Sequence, residues 1–319
     1  MAILIAELCQ NHLGDVNIVE EMVCAASESG ADYAKIQSID SNELTFRERF
    51  ENGLIEGGKI RIIKRPYKEE YARLKNLDLT EKFQENFHSI CKKYNIKPMT
   101  TLFTRSKIDL INKMKLEFLK ISSFDCASFK LIDELKNVSV DEFIISTGAT
   151  FDREIEQTAN IMKKNNLNFS FLHCISIYPT TPEISNLNRI NFLKQYTNSV
   201  GISDHSNPEI HQYKIIAGSL AMGAQIVEKH FTILPKNKTK DGAVSANTEQ
   251  LKDISLLCKM NKKEINDYVK VNVKELEIMK GNSTRELSDI ELLNRDYYQG
   301  RFASKINNEY IYNWDEKKI

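Results

Sequence analysis

Two histidines, two lysines and several hydroxyl side chains recur at one kind of position in this chain, the polar end of a short apolar run. Ser-Asp-His closes one run at residues 203–205, and Glu-Lys-His closes the next at 228–230. Imidazoles at two such ends can meet on one divalent ion and leave positions open for water or substrate, so His205 and His230 are candidate metal ligands. The alternative is one structural and one solvent-facing histidine. Lys35 and Lys120 close two earlier runs, in company with Thr101, Ser122, Ser123, Ser146, Ser176 and Ser203. Two ammonium groups among hydroxyls suit a multiply charged anion carrying phosphate and carboxylate. A lysine so placed can instead be a Schiff-base nucleophile or a salt-bridged rim residue. Glu7 closes the first run and Asp241 follows the last. A carboxylate pair across one site can bind a polyol, position water or move protons; the bland reading is one helix cap and one solvated acid. Residues 11–15, Asn-His-Leu-Gly-Asp, read as a functional loop or simply as a helix entry with Asp15 as N-cap.

These side chains act together only if the fold gathers them. They end eight apolar runs, at residues 3–9, 31–37, 97–103, 118–123, 142–148, 169–174, 199–205 and 225–231. Short runs rich in Ile, Leu and Phe read as parallel strands buried on both faces. Helix-like stretches fill the gaps; residues 17–30 place Ile18, Met22, Val23 and Ala26 on one face and stop at Gly30. Eight strand–helix repeats predict a closed (β/α)8 TIM barrel, whose active site forms at the C-terminal strand ends. Those ends carry Glu7, Lys35, Gln37, Thr101, Lys120, Ser122, Ser123, Ser146, His205 and His230.

Two segments break the rhythm. Residues 38–80 are mostly charged, with breaks at Gly53 and Gly57-Gly58, and an insert at that end of a barrel is expected to be functional or to help cover the site. Past residue 260 the pattern stays helical through Met279. Residues 283–319 show no strand pattern yet hold Tyr297, Tyr298, Phe302, Tyr310, Tyr312 and Trp314, a density that predicts docking onto a surface. The expected division is a barrel over 1–265 and a C-terminal helix and aromatic tail over 266–319.

The 319 residues suit one barrel of roughly 250 residues with an appendage. A formal net charge of zero removes any global electrostatic case for nucleic acid or an anionic membrane. No apolar run approaches the ~20 residues of a membrane span, and MAILIAEL lacks a basic leader, so a cytoplasmic location is expected. The six cysteines lack CxxC spacing and read as reduced thiols; of these, Cys9 and Cys174 lie near strand ends.

The segments IAELCQNHLGD, GADYAKIQ, MTTLFTRSKIDLI, LKISSFD, IISTGAT, LHCISIYPTTPEISNLNRI, VGISDHS and MGAQIVEKHFT occur in unbroken order from about Ile3 to Ser245. In them the chain closely resembles the N-acetylneuraminate (sialic acid) synthase family, bacterial enzymes that join phosphoenolpyruvate to a hexosamine-like aldose. The resemblance implies a metal-dependent condensation to a 3-deoxy-2-ulosonic acid with release of phosphate, serving surface glycan biosynthesis. It implies manganese or magnesium on His205 and His230. It implies phosphoenolpyruvate on Lys35, Thr101, Lys120, Ser123, Ser146, Ser176 and Ser203, and the sugar facing Glu7, Gln37, Tyr178 and Asp241. Glu7, Asp241 and His205 are the expected catalytic groups. A homodimer is expected as well. A synthase of a shorter ulosonic acid phosphate and a barrel that binds phosphoenolpyruvate without turnover are the alternatives.

The chain departs from the family's usual pattern at four places. It starts at the first strand with no hairpin before it. Cys9 stands where the family tends to have glycine, and Gly242 follows Asp241 where a histidine is usual. The family generally ends in an antifreeze-like domain that covers the partner subunit's site and supplies an arginine to the sugar. Here only Gly300-Arg301-Phe302-Ala303-Ser304 resembles the first strand of that domain. The tail is therefore expected either to pack over a barrel, with Arg301 in place of that arginine, or to serve as a dimerisation arm.

Overall fold

The computed structural model describes residues 1–307 and 309–313; Trp314 lies outside the described residues. Eight parallel strands close into a barrel: β1 (Ile3–Glu7), β2 (Tyr33–Gln37), β3 (Lys97–Leu102), β4 (Phe118–Ile121), β5 (Glu142–Ser146), β6 (Phe169–Cys174), β7 (Val200–Asp204) and β8 (Ile226–His230). Each strand pairs with its predecessor, and β1 closes the ring against β8 from Ile3↔Ile226 to Glu7↔His230. The chain is a (β/α)8 TIM barrel, and every run read from the sequence contains its strand.

Alternation along the strands sorts the side chains into two layers. Ile5, Tyr33, Met99, Phe118, Ile144, Leu172 and Ile226, from seven different strands, form one apolar cluster that plugs the barrel interior. Their neighbours in sequence, such as Ala6, Ala34, Leu119, Ile145, Phe171 and Val227, belong to the larger cluster shared with the surrounding helices. Two residues beyond each plug residue, on the same face, stand Glu7, Lys35, Thr101, Lys120, Ser146, Cys174 and Glu228. The polar site thus sits directly on an apolar floor.

The outer helices follow from spacing and caps. Helix Asp152–Lys164 buries Ile155, Thr158, Ala159 and Met162, a single face at helical period, each aliphatic side chain contributing about 1.5–3 kcal/mol. Helix Val16–Glu28 starts at Asp15, whose carboxylate accepts from the Asn17 N–H at 2.8 Å, so Asp15 is an N-cap. Two of the outer helical segments are short: the gap after β6 holds Arg189–Leu193 as α-helix, and that after β7 divides into Pro208–His211 and Lys214–Ala221 around Gln212, whose φ is +52°.

The insert and the tail form a common cap. In the insert, Leu54–Glu56 and Lys59–Ile62 make an exposed hairpin turned by Gly57 and Gly58, both at positive φ as a primed turn requires. Helix Tyr67–Lys75 follows it. The tail, whose residue pattern shows no strand, forms helix Asp289–Tyr298 and an antiparallel hairpin, Ala303–Ile306 with Glu309–Tyr312. Phe302 packs with Ile39, Leu44 and Leu74 of the insert, and Tyr297 meets Phe50 edge-on at 5.2 Å. Each strand has only four residues, and the second shows no buried face, which leaves the period-2 signal too weak to read.

Candidate active site at the C-terminal strand ends

Register places the predicted groups side by side. Glu7 pairs across the sheet with His230 on one side and Lys35 on the other. The Lys35 ammonium contacts the Glu7 carboxylate, lies 3.8 Å from Glu228 and donates to Thr101 Oγ1 at 3.0 Å. On the facing strands Lys120 donates to Ser146 Oγ at 2.7 Å and to its neighbour's carbonyl, Ile121 O, at 2.9 Å. Ser203 donates to Glu228 Oε1 at 3.1 Å. All of these side chains are buried.

Three further groups converge beside Lys120. Ser123 Oγ accepts from the Gly148 N–H at 3.1 Å and donates to Cys174 Sγ at 3.4 Å. A Cβ on Gly148 would collide with Ser176 Oγ, Cys174 Sγ and Ser123 Oγ, so only glycine lets these groups converge. Ser176 Oγ is fully buried and has no partner. By contrast Ser122 turns away and donates to Asp125 at 2.6 Å.

At the opposite rim stand the histidines. His205 Nδ1 lies 3.0 Å from the carbonyl of Ile175, and its ring sits under Tyr178 at 4.1 Å and 5.4 Å from the ring of His230. His230 Nδ1 is buried without a partner. Among the described residues, the group whose donor atoms lie close enough to share an ion is Cys9, His230 and Asp241; His205 borders it and is not in it. Cys9 Sγ donates to Asp241 at 3.0 Å and accepts from Gln37 Nε2 at 3.3 Å. Asp204 and Lys229, the middle residues of their triplets, point to the other side of the sheet and form a buried ion pair at 2.6 Å.

The field inside the site is set by these neighbours. Burial pushes the Glu228 carboxyl up, but Lys120, Lys35, His230 and the Ser203 hydroxyl overcome it and hold it at about 2. Burial likewise opposes ionisation of Asp241, yet His230, the Cys9 hydrogen bond, Lys240 and His205 keep it below the usual carboxylate range. Burial lowers His230 and favours its neutral, ligand-competent form. For Lys35, burial and then the Lys120 charge outweigh the Glu228 carboxylate and lower the ammonium to about 7. The buried neutral imidazole and ionised carboxylate suit a divalent cation.

Sequence reasoning missed Glu228, although a signal existed: it lies two residues before His230 and so shares its face. Arg301, the expected stand-in for the sugar-binding arginine, is held by the insert. Its guanidinium is buried against Glu70, which Arg73 also grips at 2.9 Å, and it lies over the rings of Tyr298 and Phe302. The tail does cover its own barrel's mouth. Asn294 donates to the Ser176 carbonyl at 2.9 Å, Arg295 to the Ala149 carbonyl at 2.8 Å, and Tyr298 stacks on Phe124 at 4.8 Å.

With that geometry in place, the relatives are informative. The N,N'-diacetyllegionaminic acid synthase of Campylobacter jejuni is 29% identical over 280 residues, 84% of this chain and 78% of that protein. A pseudaminic acid synthase of the same species is 27% identical over 307 residues, 95% and 81% of the two chains. The crystal structure of an N-acetylneuraminic acid synthetase from Leptospira borgpetersenii, in complex with citrate, superposes with a TM-score of 0.69 at 26% identity, covering 93% of this chain and 90% of that one. A family model matches residues 22–270, which take in β2 through β8 and every site residue except those on or just after β1, and by that match the chain belongs to the NeuB family.

Proposed function

We propose that this chain condenses phosphoenolpyruvate with the open-chain form of an aldose, N-acylmannosamine-like or related, giving a 3-deoxy-2-ulosonic acid of the sialic acid kind and inorganic phosphate. The observation that carries the reading is the pair of buried ammonium groups, Lys35 and Lys120, set among Thr101, Ser146, Ser123 and the unpartnered Ser176 hydroxyl. Lys35 is already balanced by Glu7 and Glu228. Lys120, however, bonds a carbonyl and a hydroxyl, and burying that cation beside the open Ser176 hydroxyl is costly unless an anion completes the site. Phosphoenolpyruvate brings a phosphate and a carboxylate.

In this reading C3 of phosphoenolpyruvate attacks the aldehyde carbon, water adds at C2, and the C2 phosphate departs. Lys35 and Lys120 neutralise the two anionic ends, and Ser123, Ser146, Ser176 and Ser203 orient them. Glu7, held between Lys35 and the Cys9 N–H, positions the water or relays its proton. Gln37, Tyr178 and Asp241 face the sugar. His205, His230 and Asp241 would hold a divalent ion, manganese or magnesium on the family's pattern, which when bound supplies Lewis-acid polarisation of the aldehyde oxygen. A homodimer acting in the cytoplasm on precursors of surface glycans completes the proposal. No helix among the described residues is long and apolar enough to cross a membrane.

Phosphate release from phosphoenolpyruvate across a panel of free and phosphorylated aldoses tests the reading. Release that depends on a free N-acylated hexosamine supports it. Release only with a phosphorylated aldose, or binding of phosphoenolpyruvate without release under any aldose, overturns it.

A further inference from the structure

Cys9 occupies a position that suits glycine. Its φ is +47°, the left-handed region in which a side chain costs roughly 1 kcal/mol or more. A residue held there against its preference calls for a compensating role. Its thiol is buried, and Sγ lies 3.0 Å from Asp241 Oδ2. The donor atoms of Cys9, His230 and Asp241 all lie within 4.8 Å of one another, and His230 Nδ1 is buried with nothing to bond. Gln37 directs its amide N–H at the sulfur from 3.3 Å, the kind of outer hydrogen bond that supports a sulfur carrying negative charge.

We propose that Cys9 supplies a thiolate donor to the divalent-metal site formed with His230 and Asp241, and that this site takes a thiophilic ion such as Zn2+, Fe2+ or Co2+ in preference to Mg2+. The inference rests on the proposed metal site and adds a ligand and a selectivity to it. On binding, the Sγ proton that now bridges to Asp241 passes to solvent, and the sulfur lone pair and the carboxylate are both freed for the ion. A set of one sulfur, one imidazole and one carboxylate matches ions of intermediate softness. Mg2+ demands near-octahedral oxygen coordination and gains little from sulfur.

The test uses the full chain stripped of metal and titrated with Co2+, read by absorbance and by competition with a chelating dye. The wild-type protein should develop a near-ultraviolet sulfur-to-cobalt charge-transfer band, and a large excess of Mg2+ should not displace the ion. Cys9→Ser and Cys9→Gly should lose the band and bind Co2+ about 10- to 100-fold more weakly. Cys9→Gly relieves the backbone, so a melting temperature at or above wild type separates a lost ligand from a lost fold. A wild-type complex without the band, or Cys9 variants with undiminished affinity, overturns the thiolate. If His230→Ala loses Co2+ while the Cys9 variants do not, the thiolate alone fails; if His230→Ala also binds like wild type, the metal site itself fails.

Discussion

Arg295 and Glu154 meet at 2.6 Å and fasten the C-terminal helix to the barrel. Glu154 already accepts the Phe151 N–H at the start of its own helix, so one carboxylate serves two elements, and Arg295 adds a second bond to the Ala149 carbonyl. Arg295→Ala should cost about 1.5–3 kcal/mol of docking energy. Hydrogen exchange should quicken over residues 289–313 and stay unchanged in the barrel strands; uniform quickening would contradict the docked-cap account.

Removing the cap altogether is the stronger intervention. Truncation after Gly281 strips the cover from the loops at Ala149 and Ser176 and exposes Leu44 and Phe50. The KM for the sugar should rise far more than that for phosphoenolpyruvate, whose proposed contacts lie deeper among the strand ends. Light scattering belongs beside both measurements. Monomers with an unaltered sugar KM would instead identify the tail as a dimerisation arm.

Lys35→Met and Lys120→Met each remove a buried charge from the proposed anion site. Each should weaken phosphoenolpyruvate binding by about 2–4 kcal/mol in calorimetry. Lys35→Met also strips the buried Glu7 of its partner, so it should reduce stability more than Lys120→Met does. Unchanged affinity in both variants would place the lysines outside the binding site.

The barrel and its inward polar ring were legible because one rule governs both: side chains two apart share a face, and buried parallel strands read as continuous apolar runs. Lys35 and Lys120 stood out as charges inside such runs. Glu228 obeys the same rule, but it was hidden among the charges of Glu-Lys-His until the Asp204–Lys229 pair separated the two faces. The place of Cys9 in the donor group depends on a loop conformation that periodicity does not carry. The anchoring of Arg301 was illegible for a similar reason. Its partner Glu70 is 231 residues away on the insert, and no local pattern links the two.

His205 and His230 are proposed to share the metal with Asp241. EDTA should abolish turnover, and His230→Ala should do so while losing metal affinity measured directly. His205, fixed through Nδ1 to the Ile175 carbonyl, presents its other nitrogen, and His205→Ala should also remove turnover without unfolding the barrel. Full activity of His205→Ala in the presence of EDTA would end the metal reading.

Acid stability should expose two other histidines that the chemistry does not use. Burial lowers His173 to about 3 and His12 to about 4. His173 donates from Nε2 to the Ser185 carbonyl at 2.6 Å, and His12 Nδ1 accepts from the Gly14 N–H at 3.0 Å; that acceptor is lost on protonation. The unfolded chain takes up these protons near pH 6.5, and the native state refuses them until the lower values are reached. Stability from each is therefore complete above about pH 6.5 and falls as pH drops towards 4, by ~1.4 kcal/mol per pH unit per histidine. His173→Gln keeps a donor for Ser185 and cannot titrate. Its urea-derived stability, measured in chelator, should fall across pH 6.5 to 4 less steeply than wild type by about that amount. Parallel slopes would show that His173 does not resist protonation in the native barrel.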